Sequence, residues 1–321
     1  MEKVLIKTKQ SFKFSLKRNF INSRYLILMI IPAIVFYAIF SYIPMYGVLL
    51  SFSRYSPRLG MLGSIFQNWI GFENFNVIFH YEGFWPAFWN TLMIGSIKVV
   101  ISFLSAITVA LLINEIRMRY FKKIVQIIVT FPHFLSWVIV AALFILLVGP
   151  TGSINHMISQ SGGHPLDLFK DSKLFLGLIF SSDIWKEAGW SSIIYIATMA
   201  GISPDLYEAA DIDGASRLQK IWHITLPGVK PTAVLLLIMS VGGVLSAGFD
   251  QIFNMTSGLG NGLIVDSVQI IDTLIYSVNI AAPVMTVGQG AAMSLFKSVV
   301  GFALVITTDR IAKACGERGI I

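Results

Sequence analysis

Long runs of apolar residues alternate along this chain with short polar segments. Six runs approach the roughly 20 residues that a helix needs to cross about 30 Å of hydrocarbon. They are residues 25–52, 87–114, 124–148, 175–200, 232–253 and 290–308. The pattern predicts an all-α membrane protein with six transmembrane helices in one domain, 25–315, behind a basic tail, 1–24. The stretch 263–282 is also apolar, but Asp266, Gln269, Asp272 and Ser277 interrupt it. It is expected as a surface helix on one side of the membrane.

Composition agrees. Mean hydropathy is +0.73 and only 13% of residues are charged, against about 25% in a soluble domain. The single cysteine, Cys315, excludes an internal disulfide, and no cysteine/histidine cluster offers a metal site. The first apolar run is too long for the core of a cleavable signal peptide and reads as an uncleaved first helix.

The basic residues orient the spans by the positive-inside rule. Seven lie in the N-terminal tail, four between spans two and three, three between spans four and five, and three at the C-terminal end. These seventeen share one side; the other side has only Arg54, Arg58, Lys170 and Lys173. Both termini are therefore expected in the cytoplasm. A seventh crossing at 263–282 would put the basic C-terminus outside. Phe12, Phe14, Leu16 and Phe20 stand among the tail lysines, which fits either an amphipathic helix on anionic lipid or an ordinary topology-setting flank.

The loop 203–227 carries the most information. Ser203 is a candidate N-cap, with Pro204 at the first helical position and Asp205 in the first turn. Gly214 suits a turn or a close approach. A second short helix is expected over about 215–225, ended by Leu226-Pro227-Gly228, with Pro231 opening the next span. Two short helices about a glycine make a compact knob for another protein to grip.

This loop resembles the EAA loop of binding-protein-dependent ABC importer permeases. The residues that carry the resemblance are Glu208-Ala209-Ala210, Gly214 four positions later, and Ile224-Thr225-Leu226-Pro227. Asp213-Gly214-Ala215 looks like the carbohydrate branch, as does the segment 131–137 (Phe-Pro-His-Phe-Leu-Ser-Trp). Within that branch the chain resembles the oligosaccharide permeases of Gram-positive and of alginate- or pectin-degrading bacteria. The resemblance implies the type I ABC importer permease fold in a bacterial cytoplasmic membrane. It implies four kinds of partner: a second homologous permease, two ATPase subunits, an extracellular solute-binding (lipo)protein and an oligosaccharide. ATP and Mg would be bound by the ATPases, with no cofactor in this chain and no nucleic acid. Glu208 would engage basic residues of an ATPase, Gly214 would allow the turn, and Ala209 and Ala210 would fit its groove.

The chain has no phosphate-binding G-x-x-x-x-G-K-[ST] sequence, and Gly258-Leu259-Gly260-Asn261-Gly262 reads as a turn in an external loop. The five histidines, His80, His133, His156, His164 and His223, are scattered, and no nucleophile has a recognisable base. No catalytic residue is assigned.

Lys98, Asp183, Lys186, Glu187, Asp250 and Lys297 fall within or beside predicted spans, where ionisable groups usually face protein or water. Asp183, Lys186 and Glu187 share one helix face, and Trp185 and Trp190 are near. Together with Asp250 they are candidates for a solute pathway, since sugars bind through hydrogen bonds and aromatic stacking. The plainer reading is polar pairs that fix helix packing. Intramembrane lysines would suit an acidic sugar. The competing readings are an ABC permease for a non-sugar solute and a secondary transporter. The latter calls for an internal repeat or paired broken helices, and the sequence is read as having neither.

Overall fold

The structure is a computed structural model and describes residues 24–314 and residue 316. The expected tail 1–24 lies outside the described residues except for Arg24, and Cys315 lies outside them too.

Among the described residues the regular structure is helical, joined by turns and loops, with one isolated bridge, Ser53 with Trp69. Helix α1 (Arg24–Tyr37) runs through a π turn (Ala38–Tyr42) into a 3-10 stretch (Ile43–Phe52). Short helices α2 (Gly60–Gln67) and α3 (Glu73–Phe79) lead to the long α4 (Phe84–Asn114). Next come α5 (Arg119–Thr130), α6 (Trp137–Val148), α7 (Ser153–Gln160) and α8 (Ser172–Ala200). The knob holds α9 (Pro204–Ile212) and α10 (Arg217–Lys220). Then follow α11 (Leu226–Gly242), α12 (Phe249–Met255), α13 (Val265–Val268), α14 (Ile271–Tyr276) and α15 (Val287–Ala314).

Among the described residues, five helical stretches are long and apolar enough to cross a membrane: Leu28–Phe52, Phe84–Asn114, Trp137–Gln160, Arg217–Gly242 and Val287–Ala314. Helix α8 has 29 residues, about 44 Å at 1.5 Å per residue, but Lys173, Asp183, Lys186 and Glu187 dilute its apolar character. Asp171 caps it: its Oδ1 accepts the N–H groups of Leu174 (3.0 Å) and Lys173 (2.8 Å). These two bonds hold the Asp171 carboxyl below the usual carboxylate range.

The interior forms three clusters. One joins Ile94 of α4 and Ile179 of α8 to Ile252, Ile264, Val268 and Ile270. A second packs Phe84 and Phe88 against Ile271, Leu274, Val278 and Met293. The third joins Ala106, Ala110, Tyr195, Met199, Val229 and Ala233.

Four expectations need correction. The span 124–148 is not one helix: Phe131–Phe134 is a 3-10 turn, and Ser136, extended, caps α6 by accepting the Ile139 N–H. Pro132, with no N–H to donate, sits in that turn. The span 232–253 is also interrupted. After α11 the chain makes a 3-10 turn (Val244–Ser246), then Ala247 (φ 41°) and Gly248 (φ 88°) are left-handed before α12 starts. Broken helices are thus present, contrary to the reading of continuous spans. The stretch 263–282 is not a surface helix. Ile264, Val268, Ile270 and Ile271 are wholly buried, because its polar groups bond across the bundle: Asn90 Nδ2 donates to the carbonyls of Asp266 and Gln269, and Lys297 pairs with Asp272. Finally, Leu226-Pro227-Gly228 does not end the second knob helix. Leu226 N–H reaches back to Ile221 O in a π turn (Ile221–Thr225), so helix continues from Arg217 to Gly242 through both prolines.

Candidate transport pathway and coupling surface

The start of the knob and its central turn are built as their punctuation predicts. Ser203 Oγ accepts the Asp205 N–H, and Pro204 opens α9. Gly214 has φ 74°, and nothing lies within 4 Å of where its Cβ would be. Of the two roles open to it, the turn applies within this chain. Ser216 and Gln219 close a capping box on α10. The two helices are tied by Lys220 Nζ to Asp211 Oδ1 (2.6 Å), by Ala215 N–H to Ala210 O (2.9 Å) and by Tyr207 Oη with Thr225 Oγ1 (2.9 Å).

Glu208, Ala209, Asp213 and Pro227 are exposed; Ala210, Ala215 and Leu226 are half-buried. Ile212, Leu218 and Trp222 are 88%, 69% and 66% exposed. Three large apolar side chains are thus bare on this polar loop. Glu208 also borders a cleft of about 490 Å³ lined by Arg117, Arg217 and Lys220.

The charged residues of α8 form two separate arrangements. Asp183 pairs with Lys98 of α4 (3.4 Å) and accepts from Ser102 Oγ (3.2 Å). Lys98 Nζ also donates to Ala247 O (3.0 Å) and to Gln251 Oε1, while Gln251 Nε2 donates to Ile179 O (2.7 Å) and Ser182 Oγ (2.9 Å). This network locks the left-handed break to α4 and α8. Sequence reasoning missed Gln251 and the Ala247 carbonyl, which are 153 and 149 residues from Lys98.

The second arrangement gathers Lys186 and Glu187 on His133. Lys186 Nζ donates to His133 O (2.7 Å) and Glu187 Oε1 (3.0 Å), and His133 Nδ1 meets Glu187 Oε2 at 2.7 Å. The His133 ring stacks on Trp190, with centroids 4.3 Å apart and planes 4° apart. Trp185 packs edge-on against Phe144 instead, and Asp250 is exposed in the first turn of α12. The six candidates therefore do not form one site. Nor are the lysines free cations for an acidic sugar: Lys98, Lys186 and Lys297 hold Asp183, Glu187 and Asp272.

Next to these groups lies a cavity of about 270 Å³, lined by Ser102, Trp190, Ser191 and Tyr195 from α4 and α8 and by Leu236 and Ser240 from α11. Hydroxyls and an aromatic face on an otherwise apolar wall are the makings of a polar-ligand pocket. Helix α11 belongs to the uninterrupted stretch Arg217–Gly242, so one rod joins the knob to the cavity wall.

Residues 98–317 match the family of binding-protein-dependent transport system inner membrane components. The chain belongs to this family. It is similar to the polygalacturonan/rhamnogalacturonan transport system permease protein YteP of Bacillus subtilis, 39% identical over 94% of this chain and 91% of that protein. Protein LplB of the same organism is 37% identical over 97% of this chain and 94% of the relative. Among solved structures it resembles a chain of a bacterial ABC transporter involved in import of the acidic polysaccharide alginate. That match has a TM-score of 0.82 and 33% identity, covering 93% of this chain and 98% of the other. This binding-protein-dependent permease is thus a multi-pass subunit of the bacterial cytoplasmic membrane that serves transport rather than ATP hydrolysis. Family membership removes the secondary transporter from consideration.

Proposed function

We propose that this permease forms part of the path by which an oligosaccharide enters the cell, driven by partner ATPases that grip the loop 203–227. The observation that carries the coupling half of this reading is the rod Arg217–Gly242. Motion imposed on the knob has no slack linker to absorb it and reaches Leu236 and Ser240 in the cavity wall. The relatives named for polygalacturonan/rhamnogalacturonan and alginate transport support a carbohydrate as cargo. One neighbouring structure is an alginate transporter in complex with a pentasaccharide-bound periplasmic protein, which supports delivery by a binding protein. A second, homologous permease supplies the facing wall, and two ATPases bind ATP and Mg beneath.

The domain plan is a basic cytoplasmic tail, 1–24, and a membrane domain, 25–315, with six crossings and both termini cytoplasmic. Helix α8, fourth in chain order, completes the six crossings; within it Asp183 pairs with Lys98 of α4, and Lys186 pairs with Glu187, both held on His133 of the turn at 131–136. A cysteine at Gln160 is expected to react with a membrane-impermeant maleimide on intact cells. One at Gly316, with Cys315 replaced by Ser, should react only after permeabilisation. Reaction of both from the same side would overturn the topology.

For the cargo, the assembled importer in liposomes should take up at least one of oligogalacturonate, alginate pentasaccharide or maltopentaose when its binding protein and ATP are supplied. Import of phosphate, peptide or amino acid with none of the three would favour a non-sugar ABC permease.

A further inference from the structure

Trp190 belongs both to the cavity wall and to a ring stack. It lines the 270 Å³ cavity with Ser102, Ser191 and Ser240. His133 stacks on it in near-parallel planes but takes no part in the cavity wall. The imidazole thus covers one face of the indole and leaves the other face of this cavity-lining residue uncovered by it. Phe134 closes one side of Trp190, edge-on at 5.7 Å.

His133 is itself held from three directions. Its Nδ1 meets Glu187 Oε2, and an ionised carboxylate only accepts, so the proton sits on Nδ1. Its backbone carbonyl receives Lys186, which also neutralises Glu187 and lies 5.4 Å from the Trp137 ring. The end of α5, which leads into the turn that carries it, rests on α8 at Gly189, where a Cβ would overlap the Val129 carbonyl. The absence of a side chain there lets α5 lie against α8 and so brings the turn after it toward Trp190.

We infer that His133 is a positioning residue for the transported sugar, fixing the plane of Trp190 so that its open face stacks on a pyranose ring in the cavity. This rests on the carbohydrate reading above. The C–H face of a pyranose is apolar while its rim bears hydroxyls. A rigid indole with three serine hydroxyls around it fits both features. An indole free to rotate would lose part of the stacking contact to side-chain entropy.

The test uses the complete importer with its ATPases and binding protein in liposomes, supplied with whichever of the three oligosaccharides the wild type imports. His133→Asn keeps a donor near Nδ1 but removes the ring; His133→Phe keeps a ring and removes the donor. An aromatic pair accounts for about 2- to 10-fold in an equilibrium. In His133→Asn, sugar imported per ATP hydrolysed should fall by about that factor, while hydrolysis stimulated by loaded binding protein stays within about twofold. His133→Phe should retain most of the wild-type ratio. Trp190→Ala should show the same loss, and adding His133→Asn to it should cost nothing further, which a merely structural histidine would not show. If His133→Asn does not assemble with the ATPases, His133→Leu runs the same cycle. A wild-type ratio in His133→Asn (or in His133→Leu where it stands in), a loss in His133→Phe as large as in His133→Asn, or losses that multiply in the double variant, would overturn the inference. Failure of the wild type to import any of the three sugars would instead remove the carbohydrate reading, and this inference with it.

Discussion

Lys98→Met is expected to destabilise the folded permease by about 3–5 kcal/mol, the usual cost of leaving one partner of a buried ion pair behind. Lys98 is only 9% exposed near the middle of α4, and Asp183 is 8% exposed. Without the ammonium, Asp183 keeps a single described partner, Ser102, and the Ala247 carbonyl loses its donor just where the backbone has left helical geometry. Unpaired groups at this depth have no water to turn to. The loss should therefore fall on the whole junction between α11 and α12. Lys98→Met combined with Asp183→Leu should recover more than half of it, because a vacated pair of matched volume is tolerated better than a lone charge. Thermal unfolding of the purified protein in detergent measures both. Equal stability of Lys98→Met and wild type would show that the network does not hold the break. An additive double variant would show that the two charges do not depend on each other.

The contrast between knob and membrane core explains what the sequence discloses. The knob is local. Ser203, Pro204, Gly214 and the Ser216/Gln219 box each act on backbone within three residues, so their effects can be read in order along the chain. Its one misreading, at Pro227, arose because a π turn lets a proline enter a helix without breaking it. The breaks in the membrane core are not local. Ala247 adopts a positive φ without being glycine, and what satisfies its carbonyl comes from α4. The segment 263–282 reads as a surface helix when the polar residues that interrupt it are counted as solvent-facing. Thr273 instead caps Ile270, and Asp272 meets Lys297 on α15. For the cavity, Trp190 and the charges of α8 were identifiable as candidates by type. Their division into two arrangements depends on His133, contributed by a turn 53 and 54 residues away from Lys186 and Glu187. A helix-face argument sees only neighbours on its own helix, which is why this histidine passed as one of five scattered ones.

Gly214→Leu and Glu208→Lys are each expected to reduce sugar import to less than about a tenth of wild type, for different physical reasons. A residue with a Cβ at φ 74° costs about 1–2 kcal/mol, too little to unfold a chain of this size. Nothing lies within 4 Å of that Cβ position, so the first side-chain carbon itself meets no clash within the permease. Any larger effect of leucine must come from what is pressed against the turn, and an ATPase groove is the proposed occupant. Gly214→Asn separates these contributions, since asparagine tolerates the left-handed region. It should retain more transport than Gly214→Leu. Glu208 is exposed and makes no described ion pair within the chain, so its reversal should leave folding unchanged. Against a basic groove the same reversal replaces attraction by like-charge repulsion, a penalty of several kcal/mol once water is excluded. Uptake and ATPase co-purification, measured together, separate the steps. Loss of both places the defect at docking; loss of uptake with the ATPase retained places it at transmission along Arg217–Gly242. Normal uptake in both variants with the ATPase bound would mean that the loop 203–227 is not the coupling element.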